Sequence, residues 1–441
     1  MKNLFGTDGV RGVANEELTS ELALKLGCAA GDLICRGTRK VIIGRDTRLS
    51  GPMLTASLSA GFASVGIDVQ LAEIIPTPAI SFLIQDERAD CGAMISASHN
   101  PPQDNGIKFF DDHGHKIPAA AEEEITRRLD SYFHRSGTAV GNITTLEAAS
   151  SRYAAFLVGT IQKIDLAGMK IIVDCAHGAT CKIAPHVLQH FNANVIELNT
   201  SPVGEQINVE CGSNSLASLR KAVFDQRADL GIAFDGDGDR VMLVSATGEV
   251  IDGDQMMGII ALYMKRNNGL TSPVVVATIM SNLGLERTLR QEGITLIRTA
   301  VGDRNVSQEM ITRHAQVGGE RSGHIIFRDH SSTGDGILTA IQLLEISHAS
   351  GTDLTDLAAE IETVPQKSLD IPLKKRSSFR KSAEIERFIV QEKESLGDAG
   401  RIVVRSSGTQ PLIRVMVEGE NEAQIDAIAN RIGAYITEKL G

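Results

Sequence analysis

The chain has 441 residues, which at about 150 residues per domain gives roughly three domains and excludes one small module. With 44 Lys and Arg against 55 Asp and Glu, the formal net charge is −11, a balance that disfavours non-specific nucleic-acid binding. Hydrophobic residues at 42% and charged residues at 22% exclude a disordered chain, which would be apolar-poor and highly charged.

In chain order, Val41 to Ile43 predicts a strand, Met53 to Val65 a helix, and Asp68 to Ala72 and Gly92 to Ile95 two more strands, followed by a polar loop from Ser96 to Asn105. A second stretch repeats the plan: strand Lys170 to Asp174, helix Lys182 to Phe191, strand Val195 to Leu198, helix Leu216 to Gln226, strand Leu230 to Phe234, polar loop Asp235 to Arg240. A third runs strand Val274 to Thr278, helix Leu283 to Gln291, strand Thr295 to Thr299, helix Asn305 to Arg313, loop Gly318 to His324. The last stretch differs: strand Lys367 to Leu373, helix Ser382 to Ser395, a strand pair Arg401 to Arg405 and Leu412 to Glu418, and a closing helix Ala423 to Leu440. Strands alternating with helices imply largely parallel sheets covered on both faces, with ligands outside the carboxyl ends of the strands. Four domains are expected: 1–150, 151–252, 253–365, and a smaller α+β domain over 366–441.

The six cysteines (Cys28, Cys35, Cys91, Cys175, Cys181, Cys211) form no C-x-x-C pair, and Met1 to Gly9 holds no apolar leader. Reduced thiols and a cytoplasmic protein are expected. There is no apolar run of about 18 residues and no Lys/Arg cluster, so no membrane role is expected.

Five loops carry candidate chemistry. Ser96-Ala97-Ser98-His99-Asn100-Pro101 follows an apolar strand and could present a serine to a cleft or simply bond its own backbone in a turn. The G-x-S-x-G elbow of a hydrolase is absent. Asp235-Gly236-Asp237-Gly238-Asp239-Arg240 sets alternate carboxylates at a strand end. Such carboxylates repel unless a hard cation, Mg²⁺ above all, sits among them. An EF-hand fails, since Arg240 stands where that loop needs Gly and Ala246 where it needs Glu. Gly318 to His324, with Glu320, Ser322 and His324 among glycines, could hold vicinal sugar hydroxyls or be a plain Gly-rich turn. Arg405-Ser406-Ser407-Gly408-Thr409-Gln410-Pro411, with Arg414 beyond, reads as a phosphate nest or as a hairpin loop with incidental arginines. At the amino end, Phe5 to Gly12 and Gly44-Arg45-Asp46-Thr47-Arg48 read as surface turns with local Asp–Arg pairs.

Taken together and in this order, the loops resemble those of the α-D-phosphohexomutases, and the likeness runs from Gly6 to Arg414. The opening F-G-T-D-G-V-R-G and the segment S-A-S-H-N-P-P-Q-D-N-G-I-K from Ser96 to Lys108 are most similar to the bacterial branch that acts on glucosamine phosphates. The resemblance implies three similar α/β domains with mixed, largely parallel sheets plus the smaller C-terminal domain, set around a central cleft. It implies exchange of glucosamine 6-phosphate and glucosamine 1-phosphate through a phosphate carried on Ser98 and a 1,6-bisphosphate intermediate, which also serves as activator. Mg²⁺ would sit on Asp235, Asp237, Asp239 and the phosphorylated Ser98, with Arg240 steadying the loop. Thr7, Arg11 and His99 would surround the phosphoserine, and Lys108 and His324 would move the sugar's proton. Glu320 and Ser322 would hold sugar hydroxyls, while Arg405, Ser407, Gly408, Thr409 and Arg414 would grip the phosphate that is not transferred. The partner implied is a small phosphosugar, with neither nucleic acid nor membrane, and a homodimer is the family's expectation.

Ser406, Gln410 and Arg321 depart from the usual pattern, and Arg321 is expected to bear on what is tolerated beside Glu320. Competing readings are a phosphomannomutase or phosphoglucomutase of the same family, a metal-dependent phosphatase with Asp235 as nucleophile, and a non-catalytic sugar-phosphate sensor.

Overall fold

The computed structural model describes residues 4–6, 8–129, 140–373, 383–406 and 412–440. Four separate sheets organise them. The first is built from β1 (Val10–Val13), α1 (Ser20–Ile34), β2 (Lys40–Arg45), α2 (Gly51–Ser64), β3 (Asp68–Ile74), α3 (Thr77–Asp86), β4 (Cys91–Ile95), β5 (Asp104–Phe110), α4 (Ala119–Arg128) and β6 (Ile143–Thr145). The second comprises α5 (Ala149–Gly159), β7 (Lys170–Asp174), α6 (Ala184–His190), β8 (Asn194–Leu198), α7 (Ala217–Gln226), β9 (Leu230–Phe234), β10 (Val241–Ser245) and β11 (Val250–Ile251). The third holds α8 (Gly253–Arg266), β12 (Val274–Thr278), α9 (Leu283–Gln291), β13 (Thr295–Thr299), α10 (Asp303–Arg313), β14 (Val317–Gly319), β15 (Ile325–Phe327), α11 (Gly336–Ser350) and α12 (Leu354–Ala359). The last consists of β16 (Gln366–Pro372), α13 (Ala383–Leu396), β17 (Gly400–Ser406), β18 (Leu412–Gly419) and α14 (Glu422–Leu440).

The first three sheets share one wiring. Parallel strands stand in the orders β3-β2-β4, β8-β7-β9 and β13-β12-β14. The next strand of each, β5, β10 or β15, then returns antiparallel beside the third. The inner parallel strands carry continuous apolar runs, such as Val41-Ile42-Ile43 and Ile171-Ile172-Val173, that are fully buried, as strands covered on both faces are, whereas β3, β8 and β13 are only partly buried. The serine, aspartate and sugar loops are therefore the same topological object three times over: the turn between the third parallel strand and its antiparallel return. The fourth sheet, β16-β18-β17, is antiparallel throughout.

The returning strands are where pattern reading falls short. β11 has two residues and β15 three, too few for a period-2 run to register, while β10, Val241-Met242-Leu243-Val244-Ser245, is an apolar run as long as β9 that lies beyond the polar loop at which the reading of that unit ends. The loop from Ser96 ends at Gln103, and β5 begins at Asp104, earlier than the expected end at Asn105. The strand β14 takes Gly318 and Gly319 out of the sugar loop. Helix α2 starts at Gly51, ahead of Met53, because Pro52 occupies its first turn.

A single buried cluster links the first three sheets, with Ile42, Ile80, Phe234, Leu243, Val275 and Leu338 among its members. The C-terminal sheet keeps its own core around Ile371, Ile413, Val415 and Ile432. Among the described residues no helix is long and apolar enough to cross a membrane. Against an expectation of reduced thiols, Cys35, at the end of α1, and Cys91, opening β4, lie opposite each other with Cα atoms 6.1 Å apart, within the span a disulfide bridges. The fold brings together two positions 56 residues apart, a separation with no sequence signature. Cys28, Cys175, Cys181 and Cys211 are free.

Candidate active site

Ser98 lies in the β4–β5 turn with a positive φ of 53° and is buried. Its Oγ donates to Asp235 Oδ2 at 2.7 Å and lies 3.3 Å from His99 Nδ1. The serine and aspartate loops touch backbone to backbone: a Cβ on Gly236 would come within 2.7 Å of the Ser98 carbonyl. Burial, then the charges of Arg240 and Arg11, push the His99 imidazole down to about 3, so it stands neutral beside the serine.

Asp235, Asp237 and Asp239 are all buried, and one oxygen of each falls within 4.8 Å of the others. Burial, followed by the charges of Asp239 and Asp237, pushes the Asp235 carboxyl well above the usual range. Burial also works to raise Asp239, but His324 and Lys108 prevail and hold it below that range. Asp237 Oδ2 accepts from Thr77 Oγ1 at 2.6 Å and from Lys108 Nζ at 2.9 Å. The Oδ1 atoms of Asp237 and Asp239 are buried with no hydrogen-bond partner. Buried carboxylate oxygens rarely stay orphaned, and hard oxygen donors so grouped suit a hard divalent cation. The residues present fit that group.

Around the triad runs a network of opposite charges. Lys108, delivered by β5, lies 2.9 Å from Asp237, 3.2 Å from Asp8 and 3.8 Å from Asp239. Burial works to lower its pKa, but Asp237, Asp8 and Asp239 prevail and raise it, so Lys108 is held as an ammonium. Asp8 also pairs with Arg11 and Lys116, and Lys116 reaches Asp303 in the third sheet's unit at 2.5 Å. Arg11 Nη1 donates to Asn100 Oδ1 at 3.2 Å, and Arg240 Nε lies 3.8 Å from Asp239 Oδ1.

In the third loop, Glu320 Oε1 accepts from the Gly302 N–H at 3.1 Å, and Ser322 Oγ donates to Oε2 at 3.3 Å. His324 Nδ1 lies 3.6 Å from Asp239 Oδ2, while its Nε2 accepts from the Gly334 N–H at 3.1 Å, which leaves the Nδ1–H tautomer facing the aspartate. Gly323 has φ of 90°, and a Cβ there would meet the Val241 carbonyl at 1.9 Å, so only glycine lets the sugar loop pack on the aspartate loop. Arg321 pairs away from the neighbouring Glu320 carboxylate. Its Nε donates to Asp252 Oδ2 at 2.8 Å, and it also bonds Gln366, tying the loop to the α8 N-cap and to β16.

Arg405 and Arg414 are directly opposed across β17 and β18. Burial, then the Arg414 charge, pushes the Arg405 guanidinium down. Two cations so placed repel, and Arg414 is paired with Asp370 on β16 at 3.2 Å. Thr7, Ser407, Gly408 and Thr409 lie outside the described residues. A cavity of about 600 Å³ joins the four units, lined by Arg11, His99, Arg240, Glu320, His324 and Arg414, with Asp239 and Asp303.

Sequence reading missed Thr77, Lys116 and Asp303, whose only signal is their contact across the fold, and saw in Asp8 only its local pair with Arg11, which is present, and not its contacts with Lys108 and Lys116. It also placed Gly44 to Arg48 on the surface. The Asp46–Arg48 pair is real, at 2.9 Å, but both side chains are fully buried.

The arrangement has known relatives. The phosphoglucomutase/phosphomannomutase family matches in four consecutive parts: alpha/beta/alpha domain I over residues 2–135, domain II over 151–248, domain III over 252–364 and the C-terminal domain over 367–434. The chain belongs to this family. As a phosphohexomutase it is an isomerase, an intramolecular phosphotransferase. The phosphoglucosamine mutase of Thermoanaerobacter sp. is 44% identical over 447 residues, covering 100% of both chains. That of Desulforudis audaxviator is 45% identical over 444 residues, covering 99% of this chain and 98% of its own. A phosphoglucomutase/phosphomannomutase family protein from Burkholderia thailandensis superposes with a TM-score of 0.85 at 24% identity, covering 100% of this mutase and 98% of its own chain, and so shares the fold.

Proposed function

We propose that this mutase interconverts glucosamine 6-phosphate and glucosamine 1-phosphate, as its full-length relatives are named for doing, and so feeds amino-sugar and cell-wall precursor synthesis in the cytoplasm. The observation that carries the mechanism is the buried Ser98 hydroxyl, held 2.7 Å from Asp235, in the loop whose next residue, His99, lines the cavity to which all four units contribute.

Phosphorylated Ser98 gives its phosphoryl group to the free hydroxyl of the bound monophosphate. The bond from Ser98 Oγ to phosphorus breaks as a sugar oxygen bonds to it, the sugar hydroxyl's proton passes to a base in the cleft, and Ser98 Oγ takes up a proton as it leaves, so that no net proton is released. The resulting 1,6-bisphosphate turns over and returns its other phosphate to Ser98. Asp235, Asp237 and Asp239 would hold Mg²⁺, which when bound neutralises charge on the phosphoryl oxygens. Lys108, kept as an ammonium, adds fixed positive charge beside the transferred group. His324, lining the cavity against Asp239, is the better placed of the two proton carriers. Glu320 and Ser322 accept and donate to sugar hydroxyls in either orientation, and Arg405 and Arg414 hold the phosphate that stays. Hexose 1,6-bisphosphate primes an unphosphorylated Ser98.

The test is kcat/KM for glucosamine 1-phosphate, glucose 1-phosphate and mannose 1-phosphate, with Mg²⁺ and bisphosphate priming. Preference for the amino sugar is expected. A preference for glucose or mannose would move the enzyme to another branch of the family, and turnover of none would sink the reading.

A further inference from the structure

We propose that Arg48 and Asn208 are positioning residues for Ser98, a two-sided clamp on the backbone of the serine loop that fixes the hydroxyl for phosphoryl transfer. The inference rests on the reading that Ser98 carries the phosphoryl group. Ser98 occupies the left-handed region with φ of 53°, a conformation that a residue bearing a side chain keeps only where its surroundings over-determine it.

Those surroundings are specific. Arg48 is fully buried, and a guanidinium has five N–H donors. Its Nε donates to Asp46 Oδ2 at 2.9 Å, Nη1 to the carbonyls of Pro101 and Asp104, and Nη2 to the carbonyls of Ser98 at 3.0 Å and Asn100 at 2.8 Å. Every donor is satisfied, and all but one bond goes to the main chain of the serine loop or its junction with β5. From the second sheet's unit, Asn208 Nδ2 donates to the same two carbonyls, Ser98 at 2.9 Å and Asn100 at 3.0 Å. The carbonyls on either side of His99 are thus held by both units.

The Ser98 N–H is fixed as well. It donates to Ser96 Oγ at 2.8 Å, and Ser96 Oγ donates to Asp46 Oδ2 at 2.6 Å, the oxygen that Arg48 Nε also meets. With its amide and carbonyl both anchored, Ser98 cannot relax out of the left-handed region, and its Oγ stays on Asp235. Arg48 is fully buried and its donors are all spent on Asp46 and the loop carbonyls, so it acts through the loop and not on substrate.

The experiment compares Arg48→Lys and Asn208→Ala in the full chain with Mg²⁺ and hexose 1,6-bisphosphate. It measures kcat, KM, Tm and, by intact mass, the rate and extent of Ser98 phosphorylation. Lysine keeps the charge but lacks the planar fork, so kcat should fall about 100-fold, as expected for a misplaced nucleophile, with KM for the sugar phosphate unchanged and Ser98 phosphorylation slowed in step. Asn208→Ala should show the same split with a smaller fall, and the double variant should lose less than the product of the two because they share carbonyls. Variants that lower Tm but keep wild-type kcat per phosphorylated Ser98 would overturn the proposal. If Arg48→Lys does not fold, Asn208→Ala decides alone, and an unchanged kcat there overturns it. Wild-type chain that takes no phosphoryl group on Ser98 would instead overturn the reaction proposed above, and the clamp with it.

Discussion

A serine hydroxyl is by itself a weak phosphoryl acceptor, and Ser98 differs from an ordinary one by what surrounds it: a carboxylate on its Oγ, a neutral imidazole beside it and a fixed ammonium nearby. Ser98→Ala should abolish both turnover and the phosphoryl mass increment after priming, with the fold intact by circular dichroism. Residual activity would favour aspartyl chemistry at Asp235. Arg321→Gln tests a departure from the family pattern. Since Arg321 bonds Asp252 and Gln366 and not the sugar loop's carboxylate, its loss should lower Tm and leave the ratio of kcat/KM between glucosamine and glucose phosphates unchanged. Ser98 and the three aspartates are legible in the sequence because each lies in a dense motif at one strand end. Thr77 is not, because it meets Asp237 from 160 residues away and nothing in Pro76-Thr77-Pro78 announces an acceptor. Arg48 illustrates the opposite error: its local pairing with Asp46 is readable, whereas its burial depends on the serine loop folding over it.

Among the elements, the parallel strands and their covering helices follow from apolar runs and helical period, while the antiparallel returns do not. Yet those returns carry Lys108 and close every functional turn. Between elements, the Tyr153 hydroxyl on α5 donates to Asp335 Oδ2 at 2.7 Å, and Asp335 Oδ1 caps α11 by accepting from the Leu338 N–H at 3.0 Å. Tyr153→Phe leaves a buried acceptor short of a partner and should cost about 1–3 kcal/mol, read by denaturant unfolding. Burial pushes Asp335 up to about 6, against the bonds from Leu338 and Tyr153. A carboxyl raised on folding contributes stability that is present below its unfolded pKa near 4 and is lost as pH climbs through the folded value. Asp335→Asn removes that dependence, so its Tm relative to wild type should rise between about pH 4 and pH 7.

For the molecule as a whole, Arg405 and Arg414, the arginines proposed to hold the phosphate, ride on a sheet with its own core, while Ser98, the aspartates and Glu320 sit on the other three. The opposed Arg405 and Arg414 give a direct test: inorganic phosphate should raise Tm by binding the folded state, and Arg405→Ala should remove most of that rise. The repeated wiring of the first three sheets has a consequence for how such an enzyme can change. In the proposed reaction one hairpin carries the phosphoryl group, a second the cation and a third reads the sugar, each springing from an equivalent strand end. New sugar preference can therefore arise by substitution in the third hairpin alone, with the phosphoryl chemistry inherited whole. Descent within the family can then vary what is recognised faster than what is done to it.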